Sequence, residues 1–208
     1  MTKIKVCGVT RPEDIMAVNK AKPDFCGFIV EFPKSRRSVS EEQLRRLTLE
    51  LCREVIPVGV FVNAPEELPA RLLNEKVISM AQLHGQENDE YIKRLRELTD
   101  KPIIKAFSIK TSDDIKAALA STADYVLLDQ GAGGTGQTFD WSLVENVERP
   151  FFLAGGLGMS NLEEAIGRLR PWAVDLSSSL ETEGKKDPEK IKAAVELVRR
   201  IEVQVERT

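Results

Sequence analysis

Two side chains with opposite acid–base capacities stand at the ends of apolar runs. Cys7 closes the run 4–7 and precedes Gly8; Asp129 follows Val126-Leu127-Leu128. A thiol with its ordinary pKa of about 8.5 serves as a general base near neutrality only where its surroundings lower that value. A carboxyl group serves as a general acid where poor solvation raises its own. Each residue also has a plainer reading, Cys7 as a small buried hydrophobe and Asp129 as a loop or helix cap. Gly155-Gly156 and Ser177-Ser178-Ser179 offer a different chemistry. Glycines let backbone N–H groups approach an anion closely, and serine hydroxyls add donors, which together suit a phosphate; an αL turn and a solvated polar loop are the alternatives. The stretch Gly131-Ala132-Gly133-Gly134-Thr135-Gly136 has the glycine density of a loop that closes over a substrate, or of a passive connection. In Lys34-Ser35-Arg36-Arg37, an arginine could grip a carboxylate through two parallel hydrogen bonds, against the reading of the run as a solvated loop. His84 is the only histidine, so a multi-histidine metal site is excluded, and no clustered ligand spacing appears. We read it as polar support for a pocket.

These residues need elements to hold them. β-rich apolar runs recur at 4–7, 25–30, 55–62, 79–83, 102–107, 125–128, 151–154 and 173–176, separated by stretches of helical periodicity. Leu44, Leu47 and Leu51 make one stripe; Leu162, Ala165, Ile166 and Leu169 another; Ile191, Ala194, Val195, Val198 and Ile201 a third. Thr10-x-x-Glu13, Ser40-x-x-Gln43 and Ser160-x-x-Glu163 fit the capping box, and Asp187-Pro188 fits a cap followed by proline at the first helical position. Eight strands alternating with eight helices predict a parallel sheet. Spread over 208 residues, that leaves about 26 per unit, compact for a closed (β/α)8 barrel but within its range. An open doubly wound sheet would need G-x-G-x-x-G after the first strand; Cys7-Gly8-Val9-Thr10 lacks it. The expected architecture is one (β/α)8-barrel domain spanning 1–208. In such a barrel, chemistry sits at the carboxyl ends of the strands and in the loops that follow. Cys7, Arg37, His84, Asp129, Gly155-Gly156 and Ser177-Ser178 all fall there.

Composition narrows the function classes. Charged residues make up 30% of the chain yet nearly cancel, leaving a net charge of -3 and a pI near 5.5. That balance gives no bulk attraction to nucleic acid or anionic lipid. Three cysteines without CxxC spacing read as reduced thiols of a cytoplasmic protein. The apolar runs are strand-sized, so no membrane span is expected, and the first residues do not read as a signal peptide.

Five segments resemble the signatures of phosphoribosylanthranilate isomerases, in order along the chain: Lys5-Val6-Cys7-Gly8-Val9-Thr10, Gln82-Leu83-His84-Gly85, Gly133 through Trp141, Ala154-Gly155-Gly156-Leu157 and Val174-Asp175-Leu176-Ser177-Ser178. The resemblance implies a TIM barrel of the ribulose-phosphate-binding type and an Amadori rearrangement in tryptophan biosynthesis, without cofactor or metal. The substrate would be a phosphosugar, N-(5′-phosphoribosyl)anthranilate. Carried over by motif, Cys7 is similar to the family's general base, Asp129 to its general acid, and Arg37 to the arginine that holds the anthranilate carboxylate, with Arg36 adjacent. His84, Gly134, Gly155, Gly156, Ser177 and Ser178 would be the other substrate-binding residues, and the protein a monomer or homodimer. Ser179 departs from the glycine that family members often carry after the serine pair.

Three rivals are weighed against this. A histidine-pathway aminosugar isomerase acts on two phosphates and should show a glycine-rich phosphate loop in each half; the third and fourth strands end in Val62-Asn63 and His84-Gly85 instead. An indole-glycerol-phosphate synthase needs a catalytic lysine, for which Lys5 and Lys105, both inside strands, are the candidates. A barrel that only senses a sugar phosphate would bind without turnover.

Overall fold

Eight parallel strands close on themselves in the structure, a computed structural model that describes residues 2–130, 140–145 and 147–205, with side chains as far as Ile201. They are β1 (Lys3–Cys7), β2 (Phe25–Val30), β3 (Ile56–Phe61), β4 (Met80–Leu83), β5 (Ile103–Ser108), β6 (Tyr125–Asp129), β7 (Phe151–Leu153) and β8 (Ala173–Leu176). Each pairs in parallel with the next, and β8 pairs with β1 to remove the edge. A two-residue strand, Ser38–Val39, adds to the carboxyl end of β2. A small antiparallel hairpin, Glu181–Thr182 with Lys185–Lys186, follows β8.

The helices are α1 (Pro12–Ala21), α2 (Glu41–Glu50), α3 (Glu67–Asn74), α4 (Asp89–Leu98), α5 (Ser112–Ala120), α6 (Leu162–Leu169) and α7 (Pro188–Val205). The expected eighth helix, in the interval between β6 and β7, is among the described residues only a 3₁₀ turn, Trp141–Val144. Asp140 caps that turn, its carboxylate accepting from Ser142 N, and residues 131–139 of the same interval lie outside the described residues. The stripes of α6 and α7 are buried, whereas Leu51 lies at the end of α2 and is half-buried. Two caps differ from expectation. The α1 box forms one residue later than Thr10-x-x-Glu13, with the Asp14 carboxylate accepting from the backbone N–H groups of Thr10 and Arg11. In α6 the cap is Asn161 rather than Ser160; its Oδ1 accepts from Gly158 N, closing the incoming loop on itself. Asp187 caps as expected, and Ser40 caps through Gln43 N, but the Gln43 side chain donates to the Thr10 carbonyl, so only half of that expected box forms.

Strand alternation sorts the core into two layers. Outward residues such as Val6, Phe28, Val126 and Val174 pack against the helices. Inward residues Phe25, Val58, Met80, Ile104, Leu127, Phe152 and Ala173 fill the barrel interior. At its amino-terminal mouth, Tyr125 stacks on Trp172 at 4.5 Å between ring centres, with Phe25 and Phe152 against them and the Lys3 ammonium 4.7 Å from the Trp172 ring. This plug seals the lower half, so the inward positions nearer the carboxyl ends are where polar groups gather. Among the described residues, no helix is long and apolar enough to cross a membrane.

Candidate active site

A cavity of about 410 Å³ opens at the carboxyl ends of the strands, a size suited to a small-molecule ligand. Cys7, Arg37, His84, Asp129, Gly155, Gly156, Ser177 and Ser178 all line it. Residues separated by most of the chain therefore share one chamber. Gly134, the remaining residue singled out from the sequence, lies outside the described residues, as does the glycine-rich stretch around it.

Asp129 ends β6 and is held beside His84, whose Nε2 is 3.5 Å from Asp129 Oδ2. The Gln82 amide Nε2 lies 2.8 Å from His84 Nδ1. With that amide donating, the neutral ring carries its proton on Nε2 and faces the carboxylate with a donor. Gly155 backs the carboxylate on another side, where a Cβ would lie 2.6 Å from Asp129 Oδ1, and its φ of +86° is one that side chains rarely adopt. Gly156 follows with φ +65°. Beyond β8, the Ser177 hydroxyl donates to the Cys7 carbonyl at 3.0 Å, joining the serine turn to β1. Ser178 opens a 3₁₀ turn, Ser178–Leu180. Ser179 sits against Gly158, where a Cβ would approach it to 3.2 Å, so the departure from glycine is packed against the preceding loop.

Cys7 ends β1 and is buried. Burial pushes its thiol pKa up, and the ammonium of Lys5 is the largest influence pulling it down. The lowered value expected for a thiol base is therefore not what this pocket sets. Burial, with the Asp175 carboxylate nearby, disfavours the thiolate more than the neighbouring cations favour it. Lys5, two residues earlier on the same face, is fully buried and bonds Asp175 Oδ2 at 2.9 Å. Burial alone would favour its neutral amine, but Asp175 and Cys7 outweigh that and hold the ammonium, raising its pKa.

The two arginines separate clearly. Arg37 lines the cavity; Arg36 does not appear in its wall and is largely exposed. Both reach Glu181, Arg37 through Nε at 2.5 Å and Nη2 at 3.0 Å, and Arg36 through Nη2 at 2.6 Å. Glu181 also accepts from the buried Lys186 at 3.0 Å, and Lys186 donates to the Ser177 carbonyl at 2.8 Å. Sequence reasoning missed Glu181 and Lys186. Both sit in a short hairpin past the last strand; Gly184, in its two-residue turn with Glu183, was the available signal, but strands of two residues are too short to show a period and the Lys-Lys-Asp run before a helix reads as a solvated cap. It also passed over Asp175 and Gln82 as individual side chains, although both line the cavity. Strand alternation places them inward, and a polar residue at an inward strand position was the available signal. Lys105, weighed as a catalytic lysine, is tied to Glu87 at 3.0 Å and to the Gly85 carbonyl at 2.8 Å and is not part of the cavity wall.

A sequence model described as N-(5′-phosphoribosyl)anthranilate isomerase matches residues 4–197. The isomerase of that name from Endomicrobium trichonymphae is 43% identical over 203 residues, covering 96% of this chain and 99% of the relative. The one from Thermoanaerobacter pseudethanolicus is 40% identical over 207 residues, covering 97% and 100%. Among solved structures, the phosphoribosylanthranilate isomerase of Thermotoga maritima superposes with a TM-score of 0.87 at 37% identity, covering 96% of this chain and all of that one. A second, solved in complex with reduced 1-(o-carboxyphenylamino)-1-deoxyribulose 5-phosphate, does so with a TM-score of 0.84 at 36% identity, with the same coverage.

Proposed function

The chain belongs to the N-(5′-phosphoribosyl)anthranilate isomerase family, enzymes of tryptophan biosynthesis, and from that premise we propose that it performs the rearrangement with Asp129 as general acid and Cys7 as general base. Asp129 donates a proton to the furanose ring oxygen of N-(5′-phosphoribosyl)anthranilate. The ring C–O bond breaks and the nitrogen lone pair forms the protonated Schiff base. The Cys7 thiolate then takes the proton from C2′, and the electron pair moves to give an enolamine. Tautomerisation delivers the ketone, 1-(o-carboxyphenylamino)-1-deoxyribulose 5-phosphate. Protons pass between the substrate and the two side chains and electron pairs shift within the substrate, with no net oxidation, so the reaction asks for no cofactor. A positioned acid or base contributes about 10² to 10⁴-fold.

The observation that carries this reading is the convergence of Cys7 and Asp129, from β1 and β6, on one cavity that Arg37, Gly155, Gly156, Ser177 and Ser178 also line. In it, Arg37 holds the anthranilate carboxylate, and the glycine and serine loops after β7 and β8 hold the phosphate. His84 supports Asp129 and contacts the substrate. The raised thiol pKa leaves little thiolate near neutrality, so the reading rests on where Cys7 stands in the cavity and not on its titration. A single barrel domain, cytoplasmic and either monomeric or homodimeric, completes the proposal; one solved relative is described as monomers made from a dimeric isomerase, and sedimentation would decide the state here. The direct test adds the protein to freshly made phosphoribosylanthranilate and follows anthranilate-adduct fluorescence. Rapid loss of signal is expected. Binding without loss of signal would instead mark a sugar-phosphate sensor.

A further inference from the structure

Lysine is almost never fully buried unless paired, and Lys5 is fully buried in the barrel interior. Its position follows from strand geometry. Residues 5 and 7 of β1 share the inward face, and the register sets Asp175 opposite Lys5 and Gly27 opposite Cys7. Gly27 makes the arrangement possible. A Cβ there would lie 2.8 Å from Cys7 Sγ and 2.9 Å from Lys5 Nζ, so sulfur and ammonium converge over a position that tolerates no side chain. Asp175 fixes the ammonium with Oδ2 at 2.9 Å, while its Oδ1 is buried without a hydrogen-bond partner among the described residues.

A buried ion pair is weak evidence for stability, since apolar residues of like volume often serve as well. What an apolar pair could not do is set a cation beside a thiol. The charged and titratable groups around Cys7 come from several elements: Lys5 on its own strand, Cys26 on β2, Asp175 on β8, Arg37 after β2, Lys186 in the hairpin, and His84 and Asp129 across the cavity. Asp175 opposes the thiolate and Lys5 favours it more strongly.

We propose that Lys5, fixed by Asp175, is a positioning residue that holds its cation against the buried sulfur of Cys7 and so keeps the thiolate accessible. The proposal rests on Cys7 being the base. Its test reads the thiol separately from turnover. Iodoacetamide labelling of the Cys7 peptide is followed by mass spectrometry across pH in the parent, in Lys5→Met and in the charge-neutral Lys5→Met/Asp175→Asn. The midpoint rather than the plateau is read, so that altered access does not count. Loss of a neighbouring cation should move the midpoint up by about one pH unit, slowing labelling about tenfold at a fixed pH below it. The shift is smaller in the double variant, which also loses the opposing carboxylate. The acidic limb of kcat/KM should move with it. Should Lys5→Met fail to fold, the double variant leaves no unpaired buried charge and decides the matter. A labelling curve that superimposes on the parent's in a folded variant overturns the proposal. A curve that moves while the kcat/KM limb stays keeps Lys5 in its role and removes Cys7 as the base.

Discussion

Arg37 meets Glu181 along the Nε–Nη2 edge of its guanidinium, with bonds of 2.5 and 3.0 Å. An arginine has two bidentate edges. With the side-on edge held by Glu181, the Nη1–Nη2 fork is the edge that remains for a second carboxylate, on a residue that lines the cavity. Lys186, bonded to the same carboxylate and to the Ser177 carbonyl, ties this arrangement to the turn after β8.

Glu181→Gln should therefore loosen Arg37 without removing it. A hydrogen bond to a charged group is worth roughly 1.5–3 kcal/mol, so KM is expected to rise on the order of tenfold with a smaller change in kcat. Steady-state kinetics check this, and an unchanged KM would show that Arg37 needs no help from Glu181.

The same carboxylate has a pH signature. Burial works against the charged form of Glu181, but Arg37 and Lys186 outweigh it and hold the group below the ordinary glutamate value. The unfolded chain, with glutamate near 4.3, then binds this proton more readily than the folded one. The stabilisation is full above that value and fades as pH falls through the lower folded one. Chemical unfolding of parent and Glu181→Gln between pH 6 and pH 3 should show their stability difference shrinking on acidification. A difference that grows would reverse the sign argued here.

Asp129→Asn keeps the shape of the side chain but offers no carboxylic proton. Turnover should fall about 10² to 10⁴-fold, while a phosphate-bearing product analogue still binds in calorimetry. Parent-like turnover would remove Asp129 from the chemistry.

Cys7→Ala separates base from core filler. We expect a large loss of kcat with a midpoint of thermal unfolding close to the parent's, since a thiol is a small volume to lose. If the melting temperature drops and residual kcat is normal, the buried-hydrophobe reading is correct.

Gly155→Ala tests the backbone. Left-handed φ costs a side-chain-bearing residue about 1–2 kcal/mol, and the new methyl would press on Asp129 Oδ1. Both stability and kcat should fall, and a loss of stability with unchanged kcat would uncouple Gly155 from Asp129.

Much of the architecture could be read without coordinates. The apolar runs 25–30 and 173–176 match β2 and β8 to the residue, because a strand buried on both faces leaves a continuous hydrophobic signal. Cys7 and Asp129 were legible as strand-end residues for the same reason. The α6 cap was not, since Ser160 and Asn161 are both good caps and only the path of the incoming loop chooses between them.

What the sequence by itself determined is which residues stand at the carboxyl ends of eight strands, since that depends on local periodicity. Tertiary structure decided which of them meet. That Arg37 rather than Arg36 faces the cavity, that Glu181 reaches back across 144 positions to hold it, and that Lys5 pairs with Asp175 rather than standing free all follow from closing β8 onto β1. Closure sets the register between strands from opposite ends of the chain. No local pattern encodes that register, because it is fixed by the packing of the whole barrel.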